Sequence, residues 1–342
     1  MQEKTGTGGV ASSAVTLGDI FRAAAQIGPL VTRTPLVPAG PLAGACGAGE
    51  VLLKLESLQK TGSFKVRGAA NKILALNEAE KGRGVVTFST GNHGRAVAYV
   101  AGKLQVNATV CISCHVPAYR AGLMRDLGAR VVIGGSSQDE AEKHYLQIMQ
   151  EEGLVPVVPF DDAAVIAGQG TVALEMLQDE PGLDILLAPL SGGGLLAGVA
   201  AAAKGVNPAV RVVGVSIERS PVMLESLKAG RPVEMGEKET LADSLLGGIG
   251  RENRYTLSMV RDLVDEHVVV GEEEIAAGMY YALKNHSLVV EGAGAVGIAA
   301  LLRGRVACRG QRVGVVVSGS SVDLPRYLEI MGRLQKEGSR GE

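Results

Sequence analysis

Residues 62–68 read Gly-Ser-Phe-Lys-Val-Arg-Gly, which sets Lys65 straight after Phe64 in a segment hemmed by small residues and opening a helix-like stretch. A lysine at its ordinary pKa is protonated and a poor nucleophile. Desolvation beside an aromatic ring, in a glycine-lined cleft, favours the neutral amine instead. Neutral lysine condenses with aldehydes. Taken singly, Lys65 also reads as a solvated lysine on a helix face, its stem covering apolar surface. The rest of the chain has to separate the two.

Glycine clusters stand at the C-terminal ends of several expected strands, where open α/β sheets place their ligands. In Ser89–Ala101, STGNHGRAVAYVA, a strand ends, a short loop turns and a helix begins. The backbone N–H groups and helix dipole there favour an anion such as a carboxylate, with side-chain donors from Ser89, Thr90, Asn92 and His93 around Gly91. Asn92 or Thr90 acting only as a helix cap is the plainer alternative. In PLSGGGLLAG, Pro189–Gly198, Gly192, Gly193 and Gly194 let the backbone close on a ligand while the next helix points its N-terminus at it, a combination suited to phosphate. The same window fits a dinucleotide pattern through Gly192, Gly194 and Ala197, with Glu218 near the end of the next strand, so a nicotinamide cofactor stays open. A second such pattern, Gly292–Gly297, has no acidic residue after the following strand and reads as close helix packing, although Glu291 before it is apolar-flanked and within range of the site. Ser318 ends the strand VVVS and Gly319 lets the chain turn, which aims the Ser318 hydroxyl at the same cleft. A phosphate cradle, a carboxylate loop, a neutral hydroxyl and a desolvated lysine are together what pyridoxal phosphate and an amino acid require.

The elements that must position these groups alternate strand and helix. From Val85, VVTFST, ATVCIS, RVVIG and VPVV are separated by helical stretches; a second alternating series runs from about residue 168 to RVGVVVSG. Such alternation implies largely parallel sheets flanked by helices, an α/β protein of two lobes. A length of 342 residues agrees, since single cores stop growing beyond roughly 250–300. The strand near Val51–Leu55 joins the second series, so residues 14–83 and 161–334 form the larger domain and 84–160 a smaller one inserted in it. Residues 1–13 and 335–342 offer nothing to bury and are expected to be disordered tails. With 34 Lys plus Arg against 36 Asp plus Glu, the chain has no basic field for nucleic acid and no polybasic run for a membrane. The N-terminus lacks the pattern of a signal peptide, no apolar stretch nears a membrane span, and a cytoplasmic location is expected. The four cysteines read as reduced and structural, Cys111 and Cys114 lying inside a strand-like run.

These residues resemble the pyridoxal-phosphate enzymes of the tryptophan synthase β fold type, in the threonine dehydratase and serine racemase group. LESLQKTGSFKVRGA, STGNHGRAVAY, VIAGQGTVALE, PLSGGGLLAG, LADSL and VVVSGSSVDL stand in family order and spacing, from about Val15 to Tyr327. Within the group, TLADSLLGGIGRENRYT and VVEGAGAVGIAAL look most like the hydroxyectoine-utilisation dehydratases. The resemblance implies that Lys65 is the Schiff-base lysine and Phe64 packs near the cofactor ring. Asn92 would bond the ring's 3-hydroxyl, Gly192, Gly193, Gly194 and Leu195 would cradle the phosphate, and Ser318 would face the pyridine nitrogen. It also implies a β-hydroxy-α-amino acid substrate, its carboxylate on Ser89, Thr90, Gly91, Asn92 and His93, dehydrated to a 2-oxo acid and ammonia by a homodimer. Phe160, with Asp161 and Asp162, is placed to line the pocket beyond Cβ.

Departures from the group bear on substrate choice. Ser191 and Ser244 stand at cofactor-site positions where glycine is usual. Thr90 takes the place of the serine that racemases use as opposite-face acid, so a racemase is the nearest rival reading. Ser216, Ser220 and Val222 replace the carboxylates of the serine racemase cation site, so no metal is expected. A nicotinamide-dependent oxidoreductase leaves Lys65 unexplained, and a non-catalytic sensor would release no ammonia.

Overall fold

A computed structural model describes residues 15–89, 91–114, 118–135 and 138–338. Ten strands are present among them: β1 Leu36–Pro38, β2 Glu50–Leu55, β3 Val85–Phe88, β4 Ala108–Ile112, β5 Arg130–Ile133, β6 Val155–Pro156, β7 Ile185–Pro189, β8 Arg211–Ile217, β9 Glu266–Val270 and β10 Arg312–Val317. They form a six-stranded sheet in the order β1-β2-β10-β7-β8-β9 and a four-stranded sheet in the order β5-β4-β3-β6. Every pairing is parallel except β1 with β2 at the edge of the larger sheet. Parallel strands need both faces covered, and β4, β7 and the last five residues of β10 are buried throughout.

The four strands of the smaller sheet come from one continuous stretch between β2 and β7. Its core, however, recruits chain that precedes β3. Val66, Ala69, Ala70 and Ile73 of the helix Lys65–Leu74 share one buried cluster with Val97 and Ala101 of the helix Asn92–Leu104 and Val110 of β4. On its opposite side the same helix packs against Ala163–Asp179, where a Cβ on Gly168 would lie 2.5 Å from the Arg67 carbonyl oxygen. The helix that starts at Lys65 is therefore wedged between the lobes.

The helix Gly292–Leu302 is buried from Gly292 through Leu301 and lies in the core of the larger lobe. That is the packing role its glycines suggested. The closing helix Leu324–Gly338 extends past residue 335, where a tail was expected to start. Tyr327, Ile330 and Met331 anchor it in the core and Leu334 packs against that core, so the helix has one more turn to complete. Residues 1–13 and 339–342 lie outside the described residues. No helix of the described residues is long and apolar enough to cross a membrane.

Candidate active site

In the larger sheet β2, β10 and β7 are neighbours, so the loops leaving their C-terminal ends are neighbours too. The loop after β2 leads to Lys65, the loop after β10 begins with Ser318, and the loop after β7 is the glycine turn. Ser318 is buried, and its carbonyl accepts a hydrogen bond from the Phe64 N–H at 3.1 Å. A bridge between Ser63 and Gly319 doubles that tie. The lysine loop is thus held by the strand beside it.

Lys65 occupies the first position of its helix, half-buried, its Nζ 5.2 Å from the Phe64 ring centroid and donating to the Pro159 carbonyl at 2.8 Å. Burial lowers its pKa to about 8, against the opposing pull of Glu291. Near neutral pH an appreciable fraction is free amine, where an ordinary lysine would have almost none.

The glycine turn closes on Phe160. A Cβ on Gly192 would stand 2.4 Å from the Phe160 ring, and one on Gly194 would stand 2.8 Å from its Cα. Gly193 has φ +87°, left-handed backbone that a side chain strains, and caps the helix Gly194–Val206. The first-turn N–H groups, Leu195 among them, have no carbonyl within the helix and are open to an anion. Ser191 is half-buried at the lip of the turn.

The loop after β3 reaches the loop after β10 from the smaller lobe, where Asn92 meets Ser321. Gly91 caps the helix Asn92–Leu104, so the amides of Asn92 and His93 are again unpaired within it. Ser89 is half-buried and its Oγ accepts from the Gly91 N–H at 3.5 Å. His93 is buried, its Nε2 2.8 Å from the Val157 carbonyl, and burial followed by Lys65 lowers its pKa to about 3. A neutral ring turned inward leaves its backbone N–H, not its side chain, to meet an anion. Thr90 lies outside the described residues.

Asn92 makes the densest set of contacts. Its Nδ2 donates to the two Glu291 carboxylate oxygens at 2.9 and 3.0 Å and approaches the exposed Ser244 Oγ at 3.4 Å, while its Oδ1 accepts from Ser321 Oγ at 2.5 Å. Buried Glu291 also accepts from Ser244 Oγ and the Ser321 N–H, and burial, outweighing the Asn92 bond, raises its pKa to about 7.

Asp161 and Asp162 turn elsewhere. Asp161 accepts from the N–H groups of Arg254, Tyr255 and Thr256, and Asp162 caps its own helix and pairs with Lys72. Of the three expected pocket residues, only Phe160 reaches the glycine turn. A cavity of roughly 190 Å³ opens beside the loop, lined in part by Gly91, Asn92, Arg95, Ser244 and Ser321. Sequence reasoning missed the Pro159 carbonyl, which carries no side-chain signal. It also missed Ser321, although its motif was in view. No cluster able to hold a metal occurs among the described residues.

A family model described as pyridoxal-phosphate dependent enzyme matches residues 27–319. The chain belongs to that family. A protein of Sinorhizobium fredii, provisionally named threonine dehydratase, is 48% identical over 93% of this chain and 96% of its own length. The L-threonine ammonia-lyase of Thermotoga maritima is 42% identical over 95% of this chain and 80% of its own. The structure of maize serine racemase superposes with a TM-score of 0.87 at 33% identity, covering 95% of this chain and 99% of that one. The family's cofactor is pyridoxal phosphate, which answers the alternative left open by the dinucleotide pattern.

The residues present fit that group: a partly neutralised amine, an aromatic ring beside it and a turn too tight for any Cβ, ending in an open helix N-terminus. Gly192→Ala is expected to weaken pyridoxal phosphate binding about tenfold, the affinity equivalent of roughly 1–3 kcal/mol of overpacking. Adding Phe160→Ala should recover most of that loss in a cofactor titration, because the ring is what the new methyl would strike.

Proposed function

We propose that the chain is a pyridoxal-phosphate dependent dehydratase that removes water from a β-hydroxy-α-amino acid, the dehydrated product then taking water back as it hydrolyses to a 2-oxo acid and ammonia. The observation that carries this reading is a desolvated lysine and a glycine turn after β2 and β7, the two neighbours of β10, with the amide-lined loop after β3 tied to the loop after β10 through Asn92 and Ser321. The names of the Thermotoga and Sinorhizobium relatives support it.

Pyridoxal phosphate, when bound, supplies the electron sink for charge developing at the substrate Cα. Lys65 is the residue that holds it, with Phe64 against its ring. The turn Ser191, Gly192, Gly193 and Gly194 with Leu195 takes its phosphate, while Asn92, Ser318 and Ser244 take the ring's polar edge. Ser89, Thr90, Gly91 and the backbone of Asn92 and His93 bind the substrate carboxylate, which orients the Cα–H toward Lys65. Lys65 Nζ takes that proton as general base, and the resulting ammonium returns a proton to the departing β-hydroxyl. Phe160, packed on the glycine turn, walls off water from the phosphate side.

Lys65 reacts only as the free amine, so the rate at which apo protein takes up pyridoxal phosphate should fall about tenfold per pH unit below about 8 and level off above it. Rapid mixing followed by visible absorbance measures this. A flat profile from pH 6 to about 9 would contradict a titrating Lys65.

A homodimer in the cytoplasm is the expected setting. For the substrate, a 2-oxo acid assay across threonine, serine, 3-hydroxyaspartate and a hydroxylated diaminobutyrate tests the reading and ranks the hydroxyectoine-derived candidate. Absence of oxo acid and ammonia with every member would reject the dehydratase. A racemase is the second reading, favoured by the likeness to maize serine racemase. Chiral analysis of recovered serine separates it from elimination.

A further inference from the structure

We infer that Glu291 is a positioning residue for cofactor recognition: its carboxylate fixes which end of the Asn92 amide faces the cleft. The inference rests on the reading that Asn92 contacts the cofactor. An asparagine amide is nearly symmetric in shape and opposite at its two ends, N–H donors on one and a carbonyl acceptor on the other. Left to itself it can present either end. Here both ends are marked. As a carboxylate, Glu291 can take only the Nδ2 end of the amide, which it meets at 2.9 and 3.0 Å, and the Ser321 hydroxyl donates to Oδ1. Turning the amide over would set Oδ1 against a carboxylate and lose these bonds in a buried site, where unpaired polar groups are costly.

Glu291 is itself fixed from two other places, the loop after β10 and the short turn that carries Ser244. Ser321 N–H donates to it at 3.0 Å from the loop after β10, and Ser244 Oγ donates at 3.2 Å. Its own N–H is tied to the Gly319 carbonyl, and its oxygens lie where a Gly319 Cβ would stand, the nearer at 2.7 Å. The carboxylate does not cap the helix that it precedes, so its acceptor capacity is directed at Asn92 rather than at its own backbone. An acceptor pair held this firmly engages one side of Nδ2, and the other approach to it, from the exposed Ser244 Oγ, is long at 3.4 Å, so the second N–H can turn to a nearer oxygen in the cleft. A residue that marks the amide in this way contributes nothing once the amide is gone.

A double-mutant cycle on pyridoxal phosphate affinity, read as Kd by fluorescence titration of apo protein above the Glu291 pKa of about 7, where the group is a carboxylate, tests this. Glutamine at this position keeps the size of glutamate but offers a donor as well as an acceptor, so it no longer selects one end. Glu291→Gln alone is expected to raise Kd about tenfold, the equivalent of one hydrogen bond to a charged group. In an Asn92→Ala background the same substitution should change Kd less than about twofold. Ser321→Ala, which unmarks the other end, should behave in the same way and serves if Glu291→Gln does not fold. An unchanged Kd in the single variants overturns the inference. So does an equal loss with and without Asn92, which would make Glu291 act on its own. If Asn92→Ala binds the cofactor as wild type does, both this inference and the Asn92 assignment beneath it fall, whereas the lysine and glycine-turn reading stands.

Discussion

Lys65→Ala is expected to abolish turnover, lowering kcat by about 10³-fold or more while leaving the fold intact. The side chain is asked to hold the cofactor, to take the Cα proton and to return one to the leaving hydroxyl, and general acid–base roles alone are each worth about 10²–10⁴. Lys65 Nζ contributes one hydrogen bond, to the Pro159 carbonyl, and its loss should cost little stability. Borohydride reduction of the reconstituted protein followed by peptide mapping gives the companion result. The wild-type tag should sit on Lys65 and the variant should carry none. A tag on another lysine, or a variant turning over at a tenth of the wild-type rate, would contradict the assignment.

The largest stability effect should come from a residue two positions along. Arg67 is fully buried and bonds Glu56 through Nε and Nη2 at 2.8 Å each, and Glu175 through Nη1 and Nη2 at 2.7 and 2.8 Å. Lys54, also buried, reaches Glu175 at 2.6 Å and the Thr34 carbonyl at 2.7 Å. Two cations and two carboxylates thus cancel inside the protein. Burial alone would raise the Glu56 pKa; the Arg67 guanidinium outweighs it and holds the group below its ordinary value. Arg67→Ala leaves Glu56 and Glu175 desolvated with Lys54 as their one remaining cation. Removing one partner of a buried pair costs about 3–5 kcal/mol. A urea unfolding series should show that loss, and Arg67→Lys should recover only part of it, because an ammonium cannot fork to both carboxylates. A loss below about 1 kcal/mol would mean the quartet is solvated.

The two-lobed α/β reading was legible because strand and helix periods alternate cleanly and the glycine turns fall where strands end. Gly192, Gly193 and Lys65 announced themselves through local sequence, since tight turns and an apolar-flanked lysine are local facts. The ionic quartet did not. Lys54, Glu56, Arg67 and Glu175 are ordinary charged residues in three separate stretches, and only the crossing of their elements brings them together. Their one sequence signal was charge inside otherwise apolar runs. The inward turn of His93 and the capping work of Asp161 were hidden for the same reason, because their partners Val157 and Arg254–Thr256 lie tens of residues away. The helix Lys65–Leu74 was assigned to the larger lobe by its place in the chain, yet its apolar face completes the smaller lobe's core.

The strand order has a consequence for how the protein is made. β10, the last strand among the described residues, lies between β2 and β7 and pairs with both. During synthesis β2 and β7 emerge long before the strand that joins them, so each presents an open hydrogen-bonding edge until β10 has been made. The smaller sheet, its strands complete by Pro156, has no such wait. Nascent chains should therefore carry one folded lobe beside an unclosed one, and the interval before Arg312 appears is when chaperones have most to shield.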